Sequence, residues 1–335
     1  MIERMKLAAA LAICLVMTAC SQGTAAVRSP TPVPSQASPS SSLSPSPSPQ
    51  PPQRAEPSLP ALVEETAAAT AEGNLYVMGG LNAAGASLSS AYVFDGTGWR
   101  SGPSLPLPVD HPSAASLGGY VYLAGGHSNG RDSARLFRLE GEQWTELAPM
   151  HFARGGHALV ALGGRLYALG GNTSRGNVAA VEAYDPIANT WTVIASLPSP
   201  RNHVSGFAAG GTVCVAGGRS PTTARVDCLD PGSLAWSRPP DLPQPTSGGG
   251  AVAFDDGNVI VVGGEDAGES RVIDQFAVYR PGSAWKTAGS MLSARHGFEL
   301  VLFNGRGWAC GGGSAPGLHP VPTCTSVGDP ASTDG

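Results

Sequence analysis

The chain has 335 residues, of which 41% are hydrophobic and 13% are charged, and it contains 45 glycines and 30 prolines. This composition indicates many short strands and turns rather than long helices, within one large domain or two ordinary ones. The net charge of −5, with no run of basic residues, argues against a nucleic-acid partner, and no apolar run is long enough to cross a bilayer as a helix.

Residues 1–19 have the layout of an export signal. Arg4 and Lys6 precede a short apolar stretch, which is followed by small residues and then by Cys20. This layout resembles a bacterial lipoprotein signal, and the resemblance implies cleavage before Cys20 and lipidation of its thiol. The alternative is an ordinary signal peptide with an incidental cysteine. We expect an extracytoplasmic protein that is anchored by lipid to a cell membrane or an outer membrane, because several acyl chains hold a protein stably at a bilayer.

Residues 20–52 consist mostly of serine and proline. Such a segment cannot bury a core and favours extended, polyproline-like conformations. We therefore expect a disordered tether that lifts the following domain off the membrane.

Six pairs of adjacent glycines follow at nearly constant spacing, each at the end of a short apolar run. The pairs begin at Gly79, Gly125, Gly170, Gly217, Gly263 and Gly311. In five units a tryptophan comes later in the unit: Trp99, Trp144, Trp191, Trp236 and Trp285. The apolar runs and turn residues of each unit predict four short strands.

A period in the high forties with a glycine pair and a later tryptophan resembles the kelch repeat. The resemblance covers about residues 53–327 and implies an all-β, six-bladed kelch propeller in which each repeat is one four-stranded blade. The glycine pairs then have a structural role, because backbones crowd where the second strand leaves the axis, and glycine lacks a Cβ and tolerates positive φ. We assign residues 53–328 to the propeller and 329–335 to a disordered tail.

The two ends of the chain are predicted to share the last blade. The sixth unit has no tryptophan after its glycine pair, and the chain ends after a third strand. The sequence QRAEPSLP at 53–60 matches WRSGPSLP at 99–106, which lies one repeat later. We expect residues 53–60 to form the outer strand of the last blade, with Gln53 in the place of tryptophan. Such closure removes exposed sheet edges.

Apart from Cys14 in the signal and Cys20 at its cleavage point, four cysteines remain, in two pairs with identical spacing: Cys214 with Cys228, and Cys310 with Cys324. Each pair places one cysteine on the second strand of a unit and one on the third. These strands are antiparallel neighbours, and an exported protein meets oxidising conditions. We expect two disulfides within blades; the alternative is four free thiols.

Ligands of propellers bind at the channel mouth, where two sets of loops meet. The loops after the glycine pairs contain Asn82, His127, Asn172, Arg219, Glu265 and Asp266. The loops before the first strands contain Glu64, Glu65, Asp110, His111, Arg154, His157, Arg201, Asn202, His203, Arg295 and His296. The ligand-binding candidates are Arg154, Arg201, His203, Arg219, Glu265, Arg295, His296, His127, Asp110 and His111.

These candidates allow several kinds of chemistry. Arginines suit a carboxylated sugar or an acidic peptide, and the carboxylates and histidines suit acid–base catalysis. Arg154, Arg201 and Arg295 each occupy the same position relative to the glycine pair that follows, and arginine at this position is common in kelch repeats, where it can tie blades together. The histidines come from different blades without fixed spacing, so we expect no metal and no other cofactor.

The predicted function is a monomeric binding module for an unknown protein or envelope glycan at this loop face. The sequence contains no catalytic triad, no paired carboxylates at defined spacing and no phosphate-binding loop. The kelch-type sialic acid mutarotases are six-bladed exported proteins of similar size and architecture, so a sugar-modifying enzyme such as a mutarotase or epimerase is the alternative. A purely structural module of the envelope is the third possibility.

Overall fold

A computed structural model describes residues 50–331, which form six antiparallel blades of a β-propeller. The predicted signal, most of the tether and residues 332–335 lie outside the described residues. Blade 1 contains the strands Ala67–Ala71, Asn74–Met78, Ala91–Phe94 and Trp99–Ser101. Blade 2 contains Ser113–Leu117, Tyr120–Ala124, Leu136–Glu140 and Gln143–Leu147. Blade 3 contains Gly155–Leu162, Arg165–Thr173, Ala180–Asp185 and Thr190–Ser196.

The remaining blades have the same order of strands from the axis outward. Blade 4 contains Ser205–Ala209, Thr212–Ala216, Val226–Leu229 and Trp236–Ser237. Blade 5 contains Gly250–Ala253, Val259–Val262, Gln275–Tyr279 and Lys286–Ser290. Blade 6 contains Leu300–Phe303, Arg306–Cys310, Cys324–Val327 and Gln53–Glu56. Three further short strands lie in the loops of blades 2 and 3: His127–Ser128, Arg131–Asp132 and Gly176–Asn177.

The hydrophobic core lies between neighbouring blades. Between blades 1 and 2, for example, Met78 and Val93 belong to the same buried cluster as Val121 and Leu123. The innermost strands instead carry mainly alanine, glycine and serine where they surround the axis, because six strands converge there and leave little room for larger side chains. They enclose a central channel of about 320 Å³.

The glycine pairs have the predicted structural role. All twelve glycines have positive φ, for example 65° at Gly79 and 94° at Gly80. A Cβ added to Gly79 would lie only 2.7 Å from the main-chain oxygen of Val109 in the next blade. The N–H of Gly80 donates to the same oxygen at 2.8 Å, and the second glycine of every pair makes the equivalent bond at 2.8–2.9 Å. The pairs therefore join each blade to the next through the main chain.

The predicted closure of the ring is confirmed. Strand Gln53–Glu56 pairs antiparallel with Cys324–Val327, and Gln53 lies opposite Val327. The side-chain amide of Gln53 donates to Ser290 O at 2.8 Å, as the indole of Trp99 donates to Pro57 O at 2.7 Å. Gln53 thus keeps the hydrogen bond to the preceding blade that tryptophan makes elsewhere in the ring.

The chain packs against the propeller slightly beyond both predicted boundaries. Gly328 N donates to Pro52 O at 2.7 Å. In the segment that was expected to be a disordered tail, Asp329 Oδ1 accepts from Asn258 Nδ2 at 3.0 Å, and Pro330 O accepts from Arg280 Nη2 at 2.9 Å. These contacts continue the chain along blade 5 past the last strand.

Both predicted disulfides are confirmed. Cys214 bonds to Cys228, and Cys310 bonds to Cys324. In each case the cysteines lie directly opposite each other on the second and third strands, with Cα atoms 4.1 Å apart. The equal spacing of the two pairs therefore reflects the same cross-strand position in blades 4 and 6.

Candidate functional site

The two sets of loops meet at one end of the channel. Isolated β-bridges join the loop before a first strand to a loop after a glycine pair in five blades: Glu64 to Leu81, Asp110 to His127, Asn202 to Arg219, Ser247 to Glu265 and His296 to Gly313. We call the end of the channel that these loops surround the mouth. Its polar side chains therefore come from all parts of the sequence.

A closed ring of main-chain hydrogen bonds surrounds the axis at the mouth. We call its members the axial ring: Glu65, His111, Gly156, His203, Gly248 and Gly297. The N–H of each member donates to the carbonyl of the member in the preceding blade, with N···O distances of 2.6–3.0 Å. All six residues have φ between 51° and 71°. The ring links all six blades without any side chain.

Three members of the axial ring carry side chains, although a non-glycine residue in this conformation costs roughly 1–2 kcal/mol. Two of the three glycine members leave the space that these side chains occupy. A Cβ on Gly156 would lie 2.9 Å from His203 Nδ1, and a Cβ on Gly297 would lie 2.7 Å from Glu65 Oε1. The ring therefore combines three strained polar residues with glycines that accommodate them. Strained residues cluster at ligand-binding and active sites, so the axial ring is a candidate binding site.

Glu65 lies at the centre of a group of imidazoles. Its Oε2 is 3.4 Å from His111 Nε2, and its Oε1 is 3.7 Å from His296 Nδ1. Burial opposes ionisation of Glu65, but His111, His296 and His203 outweigh it and hold the pKa of Glu65 well below its usual range. Burial likewise opposes the charge on His296, but Glu65 and Glu265 raise the pKa of His296 to about 9. Glu65 is thus a carboxylate in a mostly enclosed, polar site.

His203 is held as a neutral imidazole between two partners. Its Nδ1 lies 2.5 Å from Asn202 Oδ1, and its Nε2 lies 2.8 Å from Arg219 Nη2. Burial lowers the pKa of His203 well below its usual value. Arg219 also pairs with Glu265 at 3.2 Å, so it connects the axial ring to the loop of blade 5.

Asp110 and His127 complete the mouth on the side of blade 2. Asp110 Oδ1 lies 2.7 Å from His111 Nδ1, and its Oδ2 accepts from Ser87 Oγ at 2.5 Å. His127 Nδ1 lies 3.0 Å from Asp132 Oδ1 within the hairpin of blade 2. The structure thus brings together seven of the ten candidates: Asp110, His111, His127, His203, Arg219, Glu265 and His296.

The other three candidates, Arg154, Arg201 and Arg295, are completely buried inside their own blades. Their side chains donate to the carbonyl oxygens of Gly170, Gly217 and Gly311, the first glycines of the pairs, at 2.6–3.0 Å. Their own carbonyl oxygens accept the inter-blade bonds from Gly126, Gly171 and Gly264. The structure therefore places these three arginines in the structural role that their repeated position indicated, as ties between strands and blades, and away from the surface that a ligand reaches.

One acidic residue in the channel was not among the candidates. Glu299 lies directly before the inner strand of blade 6, and its carboxylate accepts from Ala68 N at 2.6 Å and from Ser113 Oγ at 2.5 Å. Burial raises the pKa of Glu299 to about 7, although these hydrogen bonds oppose the shift. The sequence did contain an indication of this residue: Glu299 is a glutamate next to an inner strand, whereas the inner strands of the other blades begin with small residues.

The axial ring also has a signal in the sequence. Its members keep one fixed distance along the chain to the glycine pair that follows, except in the fifth unit, where a single extra residue intervenes. Alignment of the six units on their glycine pairs therefore places Glu65, His111 and His203 at one repeated position where the other units have glycine.

Six four-stranded blades, joined through glycine pairs and closed by an N-terminal strand, define a kelch-type β-propeller. The family described as the KLHDC2/KLHL20/DRC7 Kelch-repeats domain matches residues 113–313, and the chain belongs to this family.

Curated relatives match parts of the chain. Kelch-like protein 35 of Mus musculus is 32% identical over 190 residues, which are 56% of this chain and 32% of that protein. Alpha-scruin of Limulus polyphemus is 35% identical over 109 residues, 30% of this chain and 12% of that protein. The chain thus spans a third or less of the length of these relatives.

A solved structure described as the structure of YjhT has the same fold. It superimposes with a TM-score of 0.71 and 17% sequence identity, over 82% of this chain and 97% of the other. Nearly all of that protein is therefore matched by the propeller.

Proposed function

We propose that this chain is an exported, lipid-anchored propeller that binds a protein or an envelope glycan at the mouth. One observation carries the proposal: the loops of the blades gather buried, hydrogen-bonded polar side chains around one end of the channel. Kelch propellers are typically protein-interaction modules, and membership of this family supports a binding role. Such pre-oriented groups can bind a polar partner without first becoming ordered.

The chemistry of the mouth indicates what the partner must offer. Four carboxylates at the mouth are mostly buried: Glu64, Glu65, Asp110 and Glu265. Each already has a partner within the chain, and the remaining lone pairs of their oxygens can accept from further donors, such as the hydroxyls of a glycan or the amides of a peptide. Arg219 is the one candidate arginine at the mouth, with 24% of its side chain exposed, and it suits a carboxylate of the partner.

Replacing Arg219 with alanine is expected to weaken partner binding about tenfold or more, because a hydrogen bond to a charged group contributes about 1.5–3 kcal/mol. The partner is first identified on a glycan array and by pull-down from envelope extracts, and its affinity is then measured by calorimetry. Arg165→Ala is the matched control, because Arg165 pairs with Asp185 at an exposed strand turn on the opposite face. Equal affinities of the two variants would contradict binding at the mouth.

A sugar-modifying enzyme is the second candidate function. The observation that favours it is the close group of a carboxylate and imidazoles at the mouth, with Glu65 3.4 Å from His111 and 3.7 Å from His296. In this group the pKa of Glu65 is lowered and that of His296 is raised. Groups with shifted pKa values concentrate at catalytic sites. Conversion of a bound sugar between anomers or epimers, followed by NMR, supports the enzyme; binding of a protein without turnover supports the module.

Membrane attachment is expected to depend on Cys20, which lies outside the described residues. Within residues 50–331 no helix is long and apolar enough to cross a membrane. Cys20→Ala, or inhibition of the lipoprotein signal peptidase, is expected to prevent lipid labelling and correct maturation, as seen by membrane fractionation. Unchanged lipid labelling and membrane retention of the mature form would contradict anchoring through Cys20.

A further inference from the structure

We propose that Glu65, His111 and His203 bind one divalent transition-metal ion on the propeller axis. One carboxylate oxygen of Glu65 and one ring nitrogen of each histidine lie within 4.8 Å of one another. The three residues occupy equivalent positions of the axial ring, so their side chains start from the same backbone geometry around one point. This proposal does not depend on whether a macromolecular partner binds at the mouth.

A chain of amides fixes the tautomer of His203. Asn177 Nδ2 donates to two carbonyl oxygens, of Pro200 at 3.1 Å and of Ser220 at 3.0 Å, so Asn177 Oδ1 is free to accept. Asn202 Nδ2 donates to that oxygen at 2.6 Å, which turns Asn202 Oδ1 toward His203 Nδ1. Nδ1 must then carry the hydrogen, and Nε2 presents its lone pair to the axis.

His111 is oriented in the same way. Asp110 Oδ1 lies 2.7 Å from its Nδ1 and can only accept, so Nε2 again faces the axis. Histidines that bind metals almost always donate the other ring N–H to a carboxylate or carbonyl oxygen, which fixes the ring and makes it a better ligand. Both histidines therefore have the outer partners that a metal site requires.

The spacing of two of the three donor atoms suits metal bonds. His111 Nε2 and Glu65 Oε2 are 3.4 Å apart. Two ligands that each lie about 2.0–2.1 Å from a tetrahedral ion are separated by about 3.4 Å. The same two atoms can thus bind one ion with little movement.

The type of ion follows from the donors. Two imidazoles and one carboxylate suit zinc, iron, cobalt or nickel, whereas magnesium and calcium prefer sites made of oxygen ligands. Three protein ligands leave a coordination position open for water or for a group of the partner. The neighbouring carboxylates of Asp110 and Glu265 favour a cation in this place, whereas His296, 3.7 Å from Glu65, opposes it when it is charged.

Arg219 competes with the ion for His203, because its Nη2 donates to His203 Nε2 at 2.8 Å. The guanidinium has two other partners, Glu265 at 3.2 Å and Glu269 at 3.3 Å, and it can keep both when it leaves the imidazole. The metal proposal therefore predicts that removal of Arg219 strengthens metal binding, whereas Arg219→Ala weakens binding of the macromolecular partner.

The test uses glycine variants, because glycine already occupies three positions of the axial ring and keeps its left-handed backbone. The full chain, in detergent, is freed of metal with a chelator and titrated with Zn²⁺ by calorimetry and with Co²⁺ by visible absorption. We expect one ion per chain. His111→Gly and His203→Gly are each expected to weaken Zn²⁺ affinity at least about 100-fold, because one of three protein ligands is lost. Glu65→Gly is expected to have a similar effect. None of the three variants is expected to lower Tm.

Two further variants sharpen the result. Asp110→Asn is expected to weaken Zn²⁺ affinity about 10–100-fold through the orientation of His111. Arg219→Gln is expected to strengthen it about tenfold, because the competing hydrogen bond is lost. His151→Ala is the control, because His151 also pairs with a carboxylate, Glu182 at 2.9 Å, and is about half exposed. This variant should bind Zn²⁺ like the unmodified chain.

Several outcomes would overturn the proposal. These are the absence of saturable one-ion binding, unchanged affinity in the His111 and His203 variants, and an equal loss in His151→Ala. Lower Tm of the glycine variants with unchanged Zn²⁺ affinity would show that the three side chains only support the ring. Weaker Zn²⁺ binding by Arg219→Gln would contradict the role of His203 Nε2 as a ligand.

Discussion

Arg154→Ala is expected to lower the free energy of unfolding by about 3–5 kcal/mol, because it removes the buried guanidinium that pairs with Glu182 and leaves that buried carboxylate with only main-chain N–H groups and the half-exposed ring of His151. The two side chains are both fully buried, with Arg154 Nη2 2.7 Å from Glu182 Oε1. The variant also removes the hydrogen bonds that Arg154 donates to Gly170 O and Ala180 O. Denaturant unfolding followed by fluorescence measures the change.

Two other arginines provide the comparison. Arg165→Ala breaks an exposed ion pair in the same blade, so it is expected to change the free energy of unfolding by about 1 kcal/mol or less. Arg295 donates to Gly311 O and Thr323 O but has no carboxylate partner among the described residues, and burial lowers its pKa to about 10. Arg295→Ala should therefore cost less than Arg154→Ala. If Arg154→Ala kept its stability but lost affinity for the partner, Arg154 would be a binding residue rather than a structural tie.

The fold could be predicted in detail because the same pattern of strands, turns and glycine pairs recurs in six units of the sequence. The glycine pairs marked the places where blades approach, and the match between residues 53–60 and 99–106 located the closing strand. The replacement of Trp99 by Gln53 at that position did not disturb the prediction, because the amide retains the hydrogen bond to the preceding blade. Local patterns of this kind are sufficient where main-chain geometry dominates.

The candidate site was predicted only in part, because side-chain direction decides which polar residues meet. Arg201 and His203 are close neighbours in the chain. The guanidinium of Arg201 is nevertheless buried within blade 4, whereas the side chain of His203 faces the axis. The spacing of Arg201 from its glycine pair indicated a repeated position but not its direction. The tautomer of His203 depends on Asn177, which is distant in the sequence and belongs to the preceding blade. No local pattern in the sequence contains that information.

A chain that begins at Pro57 is expected to lose about 4 kcal/mol of unfolding free energy relative to one that begins at Gln50, because ladder hydrogen bonds contribute about 1 kcal/mol each. It lacks the strand Gln53–Glu56, which pairs along its whole length with Cys324–Val327. The bonds of Gln53 to Ser290 O and Leu292 N are lost as well. In a protein of this size the melting temperature should fall by about 10 °C.

The comparison of these two truncations isolates ring closure from the rest of the N-terminal segment. Both lack the signal and nearly all of the tether, and both retain Leu59, which is buried and whose N–H donates to Pro322 O at 2.8 Å. The shorter chain leaves Cys324–Val327 as an open edge that can pair with another molecule, so it should also aggregate more readily. A synthetic peptide of residues 50–58 that restores the melting temperature would identify the missing strand as the cause. Equal melting temperatures of the two chains would show that the last blade is stable with three strands and that the N-terminal strand does not hold the ring together.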